Sequence, residues 1–274
     1  MDSIVLLGTG CPSPSHKRFG PSTLVTSGNQ NILIDAGSGV TQRLSEHGLK
    51  PSAIDIILIT HLHSDHIVDL YQLYISGWHS GRTKPFKLVG PRGIEKFFNK
   101  TMEAYDDELS LRIEWEKRPN KAGLEIEIIE INEEFTFDDQ DIKIKSIEVQ
   151  HQPVEPAYGY EFLVKNKKVT YSGDTKYSKN LENASKNAEY LIHEVFVDLN
   201  FDDKRMTQDT LKNVREYHST PEDVGKLAQA ANVKNLVLNH FVPPVFDEEL
   251  LKNEISKYYD GKIIVGSDLD VFNL

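Results

Sequence analysis

The segment Thr60-His61-Leu62-His63-Ser64-Asp65-His66 decides how this sequence is interpreted, because it places four side chains that can bind metals within six positions. It directly follows an apolar run. In an extended strand the side chains of residues i and i+2 point the same way, so His61 and His63 are expected to face one point. The turn that follows can bring Asp65 and His66 to a second point nearby. The segment therefore predicts ligands for two adjacent metal ions. The alternative is a polar loop that is merely rich in histidine.

Three further candidate ligands each follow a predicted strand. A site for two zinc ions needs about seven or eight donor positions, because zinc is usually four- or five-coordinate and a catalytic site leaves one position for water. Each candidate alone is more often the polar end of a strand, but together they supply the missing donors. The glycine before the second candidate, Gly173, gives the backbone room to turn sharply. The candidates are His151 after run 142–149, Asp174 after run 169–171 and His240 after run 235–239.

These residues resemble the signature of the metallo-β-lactamase superfamily, which is H-x-H-x-D-H followed by a distant His, a bridging Asp and a last His. The stretches Leu7-Gly8-Thr9-Gly10 and Ile34-Asp35-Ala36-Gly37-Ser38-Gly39 are similar to the opening of one branch. That branch contains the tRNA 3′-processing endonucleases (ribonuclease Z) and the arylsulfatase-like hydrolases. The resemblance covers nearly the whole chain, and it is highly specific for the fold and less specific for the reaction.

The resemblance implies how the donors divide between two metal ions. Asp174 would bridge the ions, and Asp65 would also orient the attacking hydroxide, which makes it a catalytic residue as well as a ligand. Zinc is the preferred metal, and manganese or iron would also suit the mixed nitrogen and oxygen donors. The first ion would be held by His61, His63 and His151, and the second by Asp65, His66 and His240.

The same branch pairs a glutamate with a histidine in a second motif. Here the pair is Glu194, within His193-Glu194-Val195-Phe196, and His218. Ester hydrolysis needs a proton for the departing oxygen unless that group is a stable anion, and His218 is the candidate general acid, with Glu194 holding its other nitrogen. Thr220 followed by Pro221 predicts the start of a helix, which places His218 in the loop before it. The alternative is an ordinary surface pair.

Departures from the signature make several related classes poor fits. The β-lactamases of this superfamily usually carry Cys where Asp174 stands, and the only cysteine here is Cys11. Flavodiiron proteins have Glu in place of His63. Thiolester hydrolases of the glyoxalase type append a helical domain, whereas only 34 residues follow His240 here (274 − 240).

The organisation of the chain predicts one α/β domain over residues 1–274, folded as a four-layer αββα sandwich with two mixed β-sheets flanked by helices. Strands and helices alternate in two halves, and stretch 105–123 is interpreted as irregular. With 39% hydrophobic residues the chain can bury a sizeable core. No apolar run approaches the ~20 residues that span a bilayer, so no membrane association is expected. A single cysteine is consistent with a reducing compartment, and we expect a cytoplasmic protein.

The charge balance bears on the substrate. Acidic residues outnumber basic ones 42 to 31, giving a net charge of −11, whereas binding to nucleic acid usually requires concentrated Lys and Arg. The tRNA-processing enzymes usually insert a long basic arm between the residues equivalent to His151 and Asp174. Here that interval, 152–173, has only 22 residues, and stretch 103–141 is mostly acidic.

The sequence therefore favours an arylsulfatase-like hydrolase that cleaves a small sulfate or phosphate (di)ester by attack of metal-bound hydroxide. The alternative is a ribonuclease Z-type endonuclease acting on tRNA, which is less favoured. A non-catalytic scaffold is least favoured, because every ligand position of the signature carries a residue that can bind a metal. Members of the family often form homodimers, and the sequence leaves this open.

Two aromatic segments are candidates for substrate contact. Trp78 and His79 have glycines on both sides, which suggests a mobile lip over the site. The run Phe241–Phe246 directly follows a predicted ligand and suggests an apolar wall. The alternative for both segments is ordinary packing.

Overall fold

The structure, a computed structural model, describes residues 2–199 and 207–274, and within them the chain forms two β-sheets of seven strands each. The first sheet comprises β1 (Ser3–Gly8), β2 (Ser22–Ser27), β3 (Gln30–Ile34), β4 (Ile56–Leu58), β5 (Phe86–Pro91), β6 (Ile126–Ile131) and β14 (Val271–Asn273). The second comprises β7 (Thr136–Asp138), β8 (Ile142–Val149), β9 (Ala157–Val164), β10 (Lys167–Tyr171), β11 (Tyr190–Phe196), β12 (Asn235–Val242) and β13 (Lys262–Val265). Their spatial orders are β14-β1-β2-β3-β4-β5-β6 and β13-β12-β11-β10-β9-β8-β7.

Helices connect the strands within each half of the chain. Those in the first half are α1 (Val40–Glu46), α2 (Ser64–Ile67), α3 (Leu70–His79), α4 (Ile94–Ala104) and α5 (Asp106–Glu116). Those in the second half are α6 (Lys179–Ala184), α7 (Gln208–Arg215), α8 (Pro221–Ala230) and α9 (Glu248–Ile255). None of the helices in the described part of the chain is long and apolar enough to cross a membrane.

Alternation along the central strands creates three apolar layers. In β1, Ile4 and Leu6 face the second sheet, whereas Val5 and Leu7 face helices α1 and α3. This is the period-two pattern of a strand that is buried on both faces. A third cluster packs α6, α8 and α9 onto the outer face of the second sheet. The result is helix, sheet, sheet and helix in layers, which is the predicted αββα sandwich.

Two hydrogen bonds join the sheets where the ligand segment begins. The Tyr160 hydroxyl donates to the carbonyl of Ile59 (2.7 Å), and the backbone N–H of Tyr158 donates to the carbonyl of Thr60 (2.9 Å). Gly173 has φ of 59°, and a Cβ there would lie 2.5 Å from the Tyr158 carbonyl oxygen. The predicted sharp turn before Asp174 is therefore present, and only glycine fits it.

The interpretation of 105–123 as irregular is wrong, because α5 occupies Asp106–Glu116. Three acidic residues in its first turn interact favourably with the positive end of the helix dipole. Apolar residues lie on both faces of α5, which hides the helical period. Strand β4 is also shorter than the run that predicted it.

The predicted mobile lip is also wrong. Helix α3 continues through Trp78 to His79, and the Trp78 side chain is buried in the core between helices and sheet. A Cβ on Gly77 would lie 2.1 Å from the Arg82 guanidinium, so this glycine allows a close contact rather than motion. Phe241 is likewise fully buried in the core of the second half, and for both residues the packing alternative is correct.

Candidate metal centre

The structure brings all seven predicted ligands together at one edge of the two sheets. In the first group, Nε2 of His61 lies 3.0 Å from Nδ1 of His63. Nε2 of His151 lies 3.1 Å from the same Nδ1 atom. His61 and His151 are fully buried, and His63 is partly buried. These three imidazoles converge on one point from the ends of β4 and β8.

The second group stands beside the first and shares Asp174 with it. Nε2 of His66 and Nε2 of His240 are 3.2 Å apart, and Oδ2 of Asp65 is 3.6 Å from the former and 3.4 Å from the latter. Oδ2 of Asp174 is 3.5 Å and 3.4 Å from the same two nitrogens. It is also 3.8 Å and 4.0 Å from Nε2 of His61 and His151. One carboxylate oxygen therefore faces both groups.

The distances between the imidazole nitrogens suit a cation with tetrahedral coordination. Two nitrogens bound to zinc at about 2.0–2.1 Å and at the tetrahedral angle are about 3.3 Å apart. The observed separations of 3.0–3.2 Å are close to this value. Lone pairs that converge at such distances repel one another unless a proton or a cation lies among them. The donor set therefore fits divalent metal ions.

Hydrogen bonds to the opposite ring nitrogens fix the tautomers that metal ligation requires. Nδ1 of His151 donates to the carbonyl of Tyr217 (2.8 Å), and Nδ1 of His66 donates to the Asp35 carboxylate (2.8 Å). In both rings Nε2 is then left with a lone pair that points into the site. Such outer hydrogen bonds are typical of histidines that bind metals.

Electrostatics also favours neutral rings in the first group. Burial lowers the pKa of His151 to about 4 and that of His61 well below its usual value. In the second group, burial would lower the pKa of His66, but the carboxylates of Asp174, Asp35 and Asp65 outweigh burial and raise it well above its usual value. This surplus of negative charge attracts a proton or, equally, a metal cation.

Asp35 is a further candidate functional residue, which the sequence alone did not indicate. Its carboxylate is fully buried and accepts hydrogen bonds from the Thr60 backbone N–H (2.9 Å), the Thr60 hydroxyl and Nδ1 of His66. The Thr60 hydroxyl in turn lies 3.0 Å from Nδ1 of His61. Asp35 therefore orients one ring in each group. Its φ of 61° is unusual for a residue with a side chain, and such strain often accompanies functional sites.

Replacing Asp35 with asparagine is expected to weaken binding of the ion held by His66 about 10- to 100-fold, because outer-shell partners of metal ligands typically contribute that much. Chelator competition measures the affinity. Asp55→Asn is the matched control, since Asp55 also accepts a backbone N–H (from Asn31, 2.7 Å) but does not contact the site. Equal metal affinities for the two variants would contradict the role of Asp35.

A bulge in β12 positions His240. Along the β11–β12 pairing, Glu194 is opposite Asn239 and Val195 is opposite Phe241, so His240 is the unpaired extra residue. Its φ is 43°, in the left-handed region. Bulges commonly re-aim a side chain next to an active site, and this one turns the imidazole out of the sheet toward the second group. The next residue, Phe241, remains in register and in the core.

His218 and Glu194 also form the predicted pair, and both are buried. Nδ1 of His218 donates to Oε1 of Glu194 (2.9 Å), and the same oxygen accepts the backbone N–H groups of Thr175 (3.1 Å) and Ser219 (3.2 Å). The surface-pair alternative is therefore wrong. Burial alone would lower the pKa of His218, but the Glu194 carboxylate outweighs burial and raises it. The ring lies 5.1 Å from that of His151 and 6.0 Å from that of His240.

The helix start that places His218 is also as predicted. Thr220 accepts the backbone N–H of Asp223, and Asp223 accepts that of Thr220, which is a capping box at the start of α8. The unassigned His193 is fully buried, and its Nδ1 donates to the carbonyl of Glu194 (2.7 Å). His193 therefore belongs to the core around the pair.

Comparisons with known proteins agree with this geometry. The family model described as anti-Pycsar protein Apyc1 matches residues 3–239. Ribonuclease Z of Mycobacterium marinum is 31% identical over 277 residues, covering 98% of this chain and 97% of that protein. The chain belongs to the Apyc1 family and to the ribonuclease Z branch of the metallo-β-lactamase superfamily. It is therefore a metal-dependent hydrolase of this fold.

Solved structures of the superfamily confirm the architecture. The metallo-β-lactamase fold protein YhfI from Bacillus subtilis has a TM-score of 0.76 and 20% identity, covering 99% of this chain and 98% of that one. The short form of human tRNase Z has a TM-score of 0.73 and 23% identity, with the same coverage. At these identities the likeness concerns the fold.

Membership of the ribonuclease Z branch changes what the short interval between His151 and Asp174 implies about the substrate. In the described chain, interval 152–173 contains β9 and β10 and no long insertion, as predicted. However, the mycobacterial ribonuclease Z aligns over nearly its whole length, so it and this chain have nearly equal lengths. The short interval therefore does not separate this chain from proteins named ribonuclease Z.

Proposed function

We propose that this protein is a metal-dependent phosphodiesterase of the ribonuclease Z type that binds two divalent ions, by preference zinc. The observation that carries the proposal is the position of Asp174, whose Oδ2 lies within 4.0 Å of imidazole nitrogens from both groups. A carboxylate in this position suits a bridge between two ions. Full-length relatives named ribonuclease Z favour a phosphodiester in nucleic acid as the bond that is cleaved.

The seven donors divide as the superfamily resemblance implies. Two metal ions at this site would supply Lewis-acid stabilisation of the phosphate oxygens and an activated water as the nucleophile. Asp65, which reaches into the second group from the start of α2, would both bind an ion and orient that water. The first ion would be held by His61, His63 and His151, the second by Asp65, His66 and His240, and Asp174 would be shared.

His218 is proposed as the general acid that protonates the departing oxygen. Its Nδ1 is held by Glu194, which leaves Nε2 to carry the transferable proton. The raised pKa of this ring favours the protonated form that an acid requires. Glu194 is held by three N–H donors, so it fixes the direction of the imidazole and stabilises its positive charge.

The earlier preference for an arylsulfatase-like substrate gives way to the alternative. It rested on the missing arm and on net charge, and relatives named ribonuclease Z match this chain over 98% of its length. A sulfate monoester has one ester oxygen, whereas the phosphodiester of a nucleic acid has two, so the relatives named ribonuclease Z do not support a sulfate ester as the substrate. We therefore place phosphodiesters first.

A small phosphodiester is the second candidate substrate, and the charge of the protein favours it. The net charge is −11, and a cavity of about 800 Å³ at Gln150 and Gln152, the chain neighbours of His151, is lined by Glu148, Glu155 and Glu216, with Lys176 as its cation. Lys176 is itself paired with Glu216 (3.0 Å). Such acidic walls repel an extended phosphate backbone, which carries one charge per nucleotide, more strongly than a compact phosphodiester with a single charge.

The test incubates the metal-loaded protein with a tRNA precursor, a cyclic mononucleotide, bis(nitrophenyl) phosphate and nitrophenyl sulfate. We expect release of the 3′ trailer from the precursor, with kcat/KM that falls as salt increases, because phosphate contacts release counterions. His63→Ala, which removes a ligand, is the inactive control. Turnover of the small phosphodiesters alone would establish the second candidate instead. Efficient cleavage of the sulfate with inert phosphodiesters would overturn both.

A further inference from the structure

The ring of Tyr217 lies beside both the first group of donors and the proposed general acid. Its centroid is 5.2 Å from that of the His151 ring and 4.7 Å from that of the His218 ring. The backbone carbonyl of Tyr217 also accepts the N–H of His151 Nδ1 (2.8 Å). Tyr217 therefore adjoins a candidate metal ligand and the candidate acid, although the proposed reaction gives its side chain no role.

The backbone around Tyr217 fixes the position of this ring. Helix α7 ends two residues before Tyr217, and the backbone N–H groups of Tyr217 and His218 both donate to the carbonyl of Val214 (3.3 and 3.2 Å). The carbonyl of Tyr217 is occupied by His151. Because the main chain of Tyr217 is hydrogen-bonded on both sides, its side chain is the part that remains able to contact a ligand.

The faces of the Tyr217 ring are not covered by another ring. The planes of the His151 and His218 rings are inclined to it by 81° and 47°, so neither stacks flat on it, and no other aromatic contact of Tyr217 occurs among the described residues. Tyr217 is half-buried, and its hydroxyl has no hydrogen-bond partner within residues 2–199 and 207–274. By contrast, the hydroxyls of Tyr74 and Tyr160 donate to backbone carbonyls. Tyr217 therefore offers an aromatic surface at the metal edge.

The other aromatic side chains discussed for this edge are packed away from solvent. Trp78 and Phe241, which the sequence suggested as substrate contacts, are buried, and so is Phe196, whose ring centroid is 6.4 Å from that of His218. Apart from the histidines, Tyr217 is the aromatic residue of the described chain whose ring contacts the ring of a candidate ligand. It combines this contact with partial exposure, which a substrate-binding side chain requires.

We propose that Tyr217 is the platform on which the base of the departing nucleoside stacks, an inference that rests on the proposed phosphodiesterase function. In that function His218 protonates the departing oxygen, so the group attached to this oxygen lies beside His218. In a nucleic acid this group is a nucleoside, whose base is joined to the oxygen through a single sugar ring. Aromatic side chains stack on any base, because every base has a π-face. Tyr217 thus recognises the presence of a base on the departing side rather than its identity.

Two short oligonucleotides that differ by one base test this proposal. Both have the same sugar and the same departing 3′-oxygen, but one lacks the base on that sugar. We expect the metal-loaded wild-type protein to hydrolyse the complete oligonucleotide with a kcat/KM about 5- to 150-fold higher, the usual range for stacking one base on an aromatic side chain. Tyr217→Leu should bring this ratio close to one, whereas Tyr217→Phe, which keeps the ring, should retain it.

The ratio between the two substrates separates stacking from damage to the site, because loss of metal or of geometry lowers both rates alike. Tyr258→Leu is the matched control and should keep the wild-type ratio, since Tyr258 is also half-buried but its ring faces Lys226 (5.5 Å) beyond the end of α9.

The stacking role alone is overturned if the wild-type protein hydrolyses both oligonucleotides equally well, or if Tyr217→Leu retains the preference for the complete one. Loss of the preference in Tyr217→Phe would assign recognition to the hydroxyl and would also contradict stacking. If neither oligonucleotide is hydrolysed, the proposed function on nucleic acid fails, and this inference fails with it.

Discussion

Replacing Asp174 with alanine is expected to remove both metal ions and to reduce phosphodiester hydrolysis by roughly 10³-fold. Metal-ion catalysis contributes several kcal/mol of transition-state stabilisation, and each 1.36 kcal/mol is about tenfold in rate. Oδ2 of Asp174 faces nitrogens of both groups at 3.4–4.0 Å, so its loss would deprive both of the proposed ions of an anionic ligand. The other six donors then offer only one further carboxylate, that of Asp65.

Metal content per chain, measured by elemental analysis after desalting, is the primary readout for Asp174→Ala, and kcat/KM on bis(nitrophenyl) phosphate is the second. Asp138→Ala is the control, because Asp138 is an exposed carboxylate paired with Lys143 (2.7 Å) far from the donors in the fold. The shared-ligand assignment fails if Asp174→Ala retains two ions per chain. Loss of a single ion would assign Asp174 to one group alone.

The sequence contained the donor set because most donors follow a strand-like run, although His240 lies at a bulge within β12 and Asp65 and His66 lie in α2. Strand-like runs are local features, and the ends of neighbouring strands meet at one edge of a sandwich. His151, Asp174 and His240 could therefore be found one at a time from short windows. Their division into two groups came from the resemblance to the superfamily, since no local pattern shows which strand ends are adjacent.

Asp35 shows what the sequence could not reveal. Its partners Thr60 and His66 are 25 and 31 residues away, and they meet it only because β3 and β4 pair in the first sheet. The stretch Ile34-Asp35-Ala36-Gly37 resembles a family feature, but nothing local marks Asp35 as the acceptor for the His66 ring and for the Thr60 hydroxyl that contacts His61. The left-handed backbone of Asp35 and the bulge at His240 are likewise set by tertiary contacts.

The preference for an arylsulfatase-like substrate has no specific support from the relatives, and it depended on a different kind of evidence. Net charge describes the whole chain, whereas binding depends on where the charges lie around the site. Much of the acidic stretch 103–141 belongs to α5, β6 and β7. An arm that is missing from one interval also cannot exclude a branch whose relatives have nearly the same length.

Replacing His218 with glutamine is expected to lower kcat on the tRNA precursor by about 10²- to 10⁴-fold, the usual contribution of a positioned general acid. The departing 3′-oxygen of a nucleotide is a poor leaving group and needs a proton. Nitrophenolate departs as a stable anion, so hydrolysis of bis(nitrophenyl) phosphate should fall much less. If the precursor is not a substrate, the cyclic mononucleotide serves as the ester with a poor leaving group.

The contrast between the two leaving groups separates acid catalysis from a structural role. A variant that merely disturbed the site would lose activity on both substrates equally and would lose metal as well. Glu194→Gln should also reduce hydrolysis of the ester with the poor leaving group more than that of the nitrophenyl ester, but by a smaller factor than His218→Gln. The His218 ring keeps a hydrogen-bond acceptor and loses only the negative charge that raises the pKa of His218. Equal losses on both esters, with both ions still bound, would mean that His218 orients the substrate and that another group protonates the leaving oxygen.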